Sequence, residues 1–181
     1  MIKKLALEKV NDEIYACMIC PIGKTGVAVV GEGSANAMVV FIGEAPGKKE
    51  AISGRPFIGR SGQLLRFLIR SIGLSEEEVY ITSPVKYLPL RGTPTKKDID
   101  HGREHLQRQL SVINPKIITL LGNVAAYGVL QEKVAVRKDH GKIIEKDGKK
   151  YFITLHPAAG LRFPSLKKLL LEDFKKINSL L

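Results

Sequence analysis

Residues 41–65 read FIGEAPGKKEAISGRPFIGRSGQLL. The apolar run Met38 to Ile42 is bounded by turn formers and predicts a buried strand. It breaks at Gly43 into a Gly/Pro loop carrying two carboxylates, Glu44 and Glu50, followed by a lone aromatic residue, Phe57, in a loop rich in Gly and Arg. From Gly62 onward Leu64, Leu65, Leu68, Ile69 and Ile72 recur at helical spacing, and Gly73 stops the pattern. Strand, glycine-bearing loop and helix form the repeating unit of a parallel α/β sheet, whose ligands bind beyond the carboxyl ends of the strands.

Outward from this stretch the same alternation continues. Leu7, Val10, Ile14 and Cys17 predict an N-terminal helix ending near Pro21, and Val27 to Val30 is a short apolar stretch. Val79 to Thr82 and Ile117 to Leu121 read as further buried strands. A Pro-punctuated loop, Pro84 to Pro94, leads to a helix that Thr95 and Asp98 start in capping-box fashion and Pro115 ends. A helix is expected around Ala125 and Leu130. Asp147-Gly148, between Lys142–Glu145 and Lys150–Leu155, is the strongest hairpin signal in the chain. A terminal amphipathic helix opens near Pro164-Ser165. Gly43–Gly47, Ser83 and His156 then all fall at strand carboxyl ends, so three distant segments converge on one rim.

With 181 residues and 44% hydrophobic content, the chain supports one substantial core, and residues 1–181 are expected to form a single domain. Twenty-nine Lys and Arg against 18 Asp and Glu give a formal net charge of +11, which favours a polyanionic partner and nucleic acid first. The start, MIKKLALEKVNDE, lacks a signal-peptide apolar region, and no run approaches membrane-spanning length. A cytoplasmic location with no membrane partner is the expectation. Neither a Walker-type lysine loop nor GxGxxG is present, which argues against a nucleotide-binding reading of the Gly loop.

GEAPGKKE at 43–50, GRPFIGRSGQLL at 54–65, YITSPVKY at 80–87, INPKIITLLG at 113–122 and TLHPAAGLR at 154–162 occur in order and in register. Together they make the chain, from about Cys17 to Arg162, resemble the type-4 uracil-DNA glycosylases. The resemblance implies a three-layer α/β/α fold around a four-stranded, mainly parallel sheet. It implies hydrolysis of the N-glycosidic bond of a flipped uracil in DNA, leaving an abasic site. The expected partner is DNA carrying uracil or another deaminated base, met by a monomer that is nucleoid-associated when at work. A binder of damaged or single-stranded DNA without catalysis is the alternative.

Such chemistry needs a slot for an extruded base and electrostatic help for the charge that moves onto it. Phe57 would stack on the pyrimidine, or be a core Phe under its loop. His156, matching the family's His-Pro motif, would hydrogen-bond the departing pyrimidine's O2. Glu44 and Glu50 would shape the pocket and position or activate water, or else cap loop amides. Gly43, Ala45 and Gly47 belong to the base-binding loop, whose glycines permit close approach and outward-facing amides. Lys48, Lys49, Arg55 and Arg60 would surround the pocket, with the helix starting at Ser61-Gly62 aiming its amides at a phosphate. Ala158 to Phe163 resembles the loop that such enzymes push into the minor groove, with Leu161 or Arg162 filling the vacated space.

Two departures from the family stand out. Type-4 enzymes usually carry four cysteines around an iron–sulfur cluster. Here Cys17 and Cys20 match the first pair, Tyr87 stands at the third position, and the region of His101-Gly102 lacks the fourth. Two thiolates do not complete such a site, so no cofactor is expected. His101 or His105 would have to join them for any metal to be held, and Cys-x-x-Cys without a second matching pair is incomplete zinc spacing. The second departure is Ser83, where the family usually has Asn. An amide faces uracil with both a donor and an acceptor, whereas a hydroxyl serves either partner, which leaves the base preference open.

Overall fold

A computed structural model describes residues 1–181. In chain order its elements are α1 (Ile2–Ala16), β1 (Lys24–Thr25), β2 (Glu32–Gly33), β3 (Val39–Ile42), α2 (Lys48–Ser53), α3 (Arg60–Ser71), β4 (Val79–Thr82) and β5 (Leu88–Pro89). Then come α4 (Lys96–Ile113), β6 (Ile117–Leu121), α5 (Asn123–Leu130), α6 (Val136–Asp139), β7 (Ile143–Lys146), β8 (Lys149–Thr154), α7 (Pro157–Arg162) and α8 (Pro164–Asn178).

The central sheet is six-stranded, in the order β2-β4-β3-β6-β8-β7. Its inner four strands, β4, β3, β6 and β8, are mutually parallel. The expected four parallel strands are therefore the middle of the sheet, and an antiparallel strand closes each edge. β3, β4 and β6 are buried at every residue, as near-continuous apolar runs must be when helices cover both faces. Phe41 of β3 stacks on Phe174 of α8 with ring centroids 5.6 Å apart, tying the sheet to the terminal helix within the main core cluster.

Local chemistry sets several boundaries. Thr95 and Asp98 form the reciprocal capping box that opens α4, worth about 1 kcal/mol. Asp147 and Gly148 both take positive φ, as a tight β7–β8 hairpin requires. α1 stops at Ala16 rather than near Pro21, because Cys17 is extended; Cys17 and Cys20 therefore lie on the turn after the helix. Val27 to Val30 forms no strand. Its amides pair singly, Val27 to the Ala51 carbonyl and Val29 to the Lys86 carbonyl. Residues 157–162 are the short helix α7, not a loop, since His156 caps it and Pro157 occupies its first position. No helix is long and apolar enough to cross a membrane.

Candidate active site

The carboxyl ends of β3, β4 and β8 lead directly into Gly43, Ser83 and Leu155-His156, with Gly122 beside them after β6. Here a cavity of about 310 Å³ opens, lined among others by Glu44, Ala45, Gly47, Phe57, Ser83 and His156. The Phe57 and His156 rings face each other with centroids 5.9 Å apart and planes inclined by 30°. The two rings therefore lie together on the rim, and the space beside them is open.

Phe57 is held by its backbone. Its φ is +51°, a left-handed conformation that a bulky residue adopts only when its surroundings enforce it. The enforcing residue is Arg66 of α3, which donates from Nε to the Phe57 carbonyl (3.0 Å) and from Nη2 to the Pro56 carbonyl (2.9 Å), and pairs with Glu76. Glycine is required at two neighbours. A Cβ on Gly62 would lie 1.9 Å from the Phe57 carbonyl oxygen, and one on Gly43 would lie 2.4 Å from the Phe57 ring. Gly43 thus makes room for the aromatic ring and does not itself line the cavity.

The polar groups divide into those already engaged and those left free. His156 Nδ1 accepts the Ala158 N–H at 3.2 Å, which leaves the ring proton on Nε2. Burial pushes the imidazole down to about pKa 4, so at neutral pH it is an uncharged donor. Glu50 Oε1 accepts from the Ile58 and Gly59 amides at 2.8 and 2.7 Å. That is the amide-capping role, and it fastens α2 to the Phe57 loop. Glu44 is partly buried, has no hydrogen-bonding or ionic partner, and burial raises its pKa above the ordinary carboxylate value. Ser83 donates its hydroxyl proton to the Val85 carbonyl (2.8 Å), so only oxygen lone pairs remain for a guest.

Of the cations, Lys48, Lys49, Arg60 and Arg162 are exposed and unpaired with any acid, while Ser61 lines the cavity. Arg55 differs, because its guanidinium is gripped by both oxygens of Glu32 at 2.8 Å. Leu161 is 41% exposed on α7, next to Arg162.

Sequence reasoning missed Lys86. It is fully enclosed, donating to Thr82 Oγ1 (2.7 Å), Gln109 Oε1 (2.8 Å) and the Val30 carbonyl (3.2 Å), and burial lowers it to about pKa 7. It welds the end of β4 to α4. Beyond it, Cys17 and Cys20 do not stand alone as expected. His101 Nε2 lies 3.2 Å from Cys17 Sγ and 3.4 Å from Cys20 Sγ, and donor atoms of Cys17, Cys20, His101 and His105 all lie within 4.8 Å of one another. The chain thus holds a Cys/His cluster of metal-binding composition. The iron–sulfur group usual in the family does not fit it: the cluster takes four thiolates, and the chain has only Cys17 and Cys20.

A mainly parallel α/β sheet thus carries a cavity at its carboxyl rim, with free cations on residues next to its lining. Residues 30–181 match the family description "Uracil DNA glycosylase superfamily". Over 97% of its length the chain is 38% identical to the type-4 uracil-DNA glycosylase of Archaeoglobus fulgidus, covering 93% of that protein. It is 39% identical to the type-4 enzyme of Thermotoga maritima, over 96% of this chain and 93% of that one. The counterpart in Sulfurisphaera tokodaii is 38% identical over 97% of this chain and 84% of its own. The chain belongs to the uracil-DNA glycosylase superfamily, in its type-4 branch.

Proposed function

We propose that the chain excises uracil from DNA by hydrolysis, with Phe57, His156 and Glu44 as the working groups. The observation that carries this reading is the open cavity beside the paired Phe57 and His156 rings, with an unpartnered carboxylate on its wall. Its volume of about 310 Å³ sits at the small end of ligand pockets, suited to one base.

The extruded uracil stacks on Phe57. As the C1′–N1 bond breaks, its electron pair moves into the pyrimidine ring and out to O2, where the His156 Nε2–H donates a hydrogen bond. An uncharged imidazole is suited to this, because it stabilises the anion without giving up its proton. Water adds to C1′ and passes its proton to the Glu44 carboxylate, and the products are free uracil and an abasic site. Glu50 acts one step back by holding the loop that presents Phe57.

Ser83 bears on base preference. With its proton committed to Val85, its oxygen accepts from uracil's N3–H, whereas cytosine presents a lone pair at N3. Hypoxanthine and xanthine carry the same lactam N–H, so other deaminated bases belong in the substrate range to be tested. Lys48, Lys49, Arg60 and Arg162 contact phosphates, and Leu161 enters the gap left by the extruded nucleotide. A monomer in the cytoplasm, at the nucleoid, is the corollary.

The test is a duplex with a single uracil opposite guanine, incubated with the protein and then treated with hot alkali. Strand scission at that site is expected; an intact strand at every salt concentration, with binding retained, would establish the non-catalytic reading instead. Duplexes carrying hypoxanthine, xanthine, cytosine or thymine rank the bases.

A further inference from the structure

We propose that Cys17, Cys20, His101 and His105 hold one tetrahedral zinc-class ion in place of the iron–sulfur cluster usual in the family. A single Zn²⁺ with bonds of about 2.3 Å to sulfur and about 2.0 Å to nitrogen sets its donors roughly 3.4–3.8 Å apart. The two sulfur–nitrogen separations here, 3.2 and 3.4 Å, lie near that spacing, and the remaining donors, all within 4.8 Å of one another, need to move by about 1 Å at most to reach it. Softness fits as well, since two thiolates and two imidazoles are a common structural zinc set.

Two further observations point inward to a ligand. His105 Nε2 is buried and has no hydrogen-bond partner, a costly state for a ring nitrogen unless something occupies the space before it. The His101 and His105 rings meet edge to face at 89° with centroids 5.5 Å apart, so the two histidines converge from successive turns of α4. The Cys20 N–H donates to Cys17 Sγ (3.4 Å), support that a metal-bound thiolate receives in a Cys-x-x-Cys turn. The sequence carries the same signal: Cys-x2-Cys and His-x3-His are the half-motifs of a Cys2His2 centre, set 80 residues apart in place of about a dozen.

The bound ion closes a strap. Cys17 and Cys20 follow α1, His101 and His105 lie on α4, and the segment between Ser83 and Thr95 supplies Leu88 and Gly92 to the cavity wall. β1, immediately after the cysteine turn, pairs with β5 in that segment. The metal therefore fixes the segment that brings Leu88 and Gly92 to the rim without touching the base.

Metal content decides the matter independently of glycosylase activity. Purified protein is expected to carry close to one equivalent of zinc per chain. After exchange with Co²⁺ it should show the visible bands of tetrahedral coordination together with thiolate charge-transfer absorption. His105→Ala should weaken Co²⁺ retention at least tenfold in a chelator competition. Zinc should raise the melting temperature of metal-stripped protein and shield both thiols from a thiol reagent. Four irons with acid-labile sulfide per chain would overturn the proposal, as would metal-stripped protein whose melting temperature and thiol reactivity ignore added zinc and cobalt.

Discussion

The base slot and the Cys/His cluster are joined by the segment from Ser83 to Thr95, yet they are built in opposite ways. In the slot nearly every polar group is already committed to the protein's own backbone: His156 Nδ1 to Ala158, Glu50 to Ile58 and Gly59, the Ser83 hydroxyl to Val85. One imidazole N–H, one carboxylate and the lone pairs of the Ser83 oxygen are left for a visitor. In the cluster the donors gather within 4.8 Å of one another, and His105 Nε2 has no hydrogen-bond partner. A site pre-organised by internal bonds receives a transient guest without rearranging, while a site made of converging donors asks for a permanent one. Substitutions in the slot should therefore change chemistry and spare stability, and those in the cluster should do the reverse.

The largest effect should come from His156→Asn, which keeps a cap acceptor for α7 but removes the Nε2–H. Single-turnover uracil release should fall by about 10²–10³-fold with duplex binding and neutral-pH melting unchanged. Release within tenfold of the parent would move the electrophile elsewhere. The same variant should flatten the acid dependence of stability. In the folded chain His156 titrates at about 4, below its ordinary 6.5. The unfolded chain thus binds the proton first, and stability is lost as pH falls through that interval, by about 3 kcal/mol in all.

Next in size is Glu44→Gln, expected to cost about 10²-fold at neutral pH. Burial raises this carboxyl, so the parent's acid limb should lie above the usual carboxylate range and come from Glu44, because His156 stays uncharged down to about pH 4. A pH–rate profile should lose that limb in the variant. If the limb persists, another group activates the water.

Ser83→Asn comes third. It should supply both a donor and an acceptor to the pyrimidine edge and raise the uracil-over-hypoxanthine ratio by roughly tenfold, read from the panel of modified duplexes. An unchanged ratio would show that position 83 does not face the base.

The smallest effects concern phosphate contacts. Lys48→Ala and Arg60→Ala should each reduce the slope of log binding against log salt by about 1. Arg55→Ala should leave the slope almost unchanged, because Glu32 already neutralises that guanidinium.

The strands of the sheet were legible because β3, β4 and β6 are uninterrupted apolar runs, and the hairpin because Asp147-Gly148 admits little else. β2 and α2 were not: two and six residues are too short to show a period. The rim could be read since strand ends carry it, but the division of labour between Glu44 and Glu50 could not. That depends on which carboxylate meets the Ile58 and Gly59 amides, a long-range fact. The histidines of the cluster were visible at i and i+4. The sequence already marks them as the residues that would have to join the cysteines, but the joining depends on α1 packing against α4, which brings together segments some 80 residues apart.

The bond from the Ala158 amide to His156 has one more consequence. A catalyst that lends a hydrogen bond and keeps its proton has nothing to reload between turnovers. Each cycle ends with the imidazole in the state in which it began, and the expelled uracil anion draws its proton from solvent. Only Glu44, which takes the proton of the attacking water, has to be reset before the next excision.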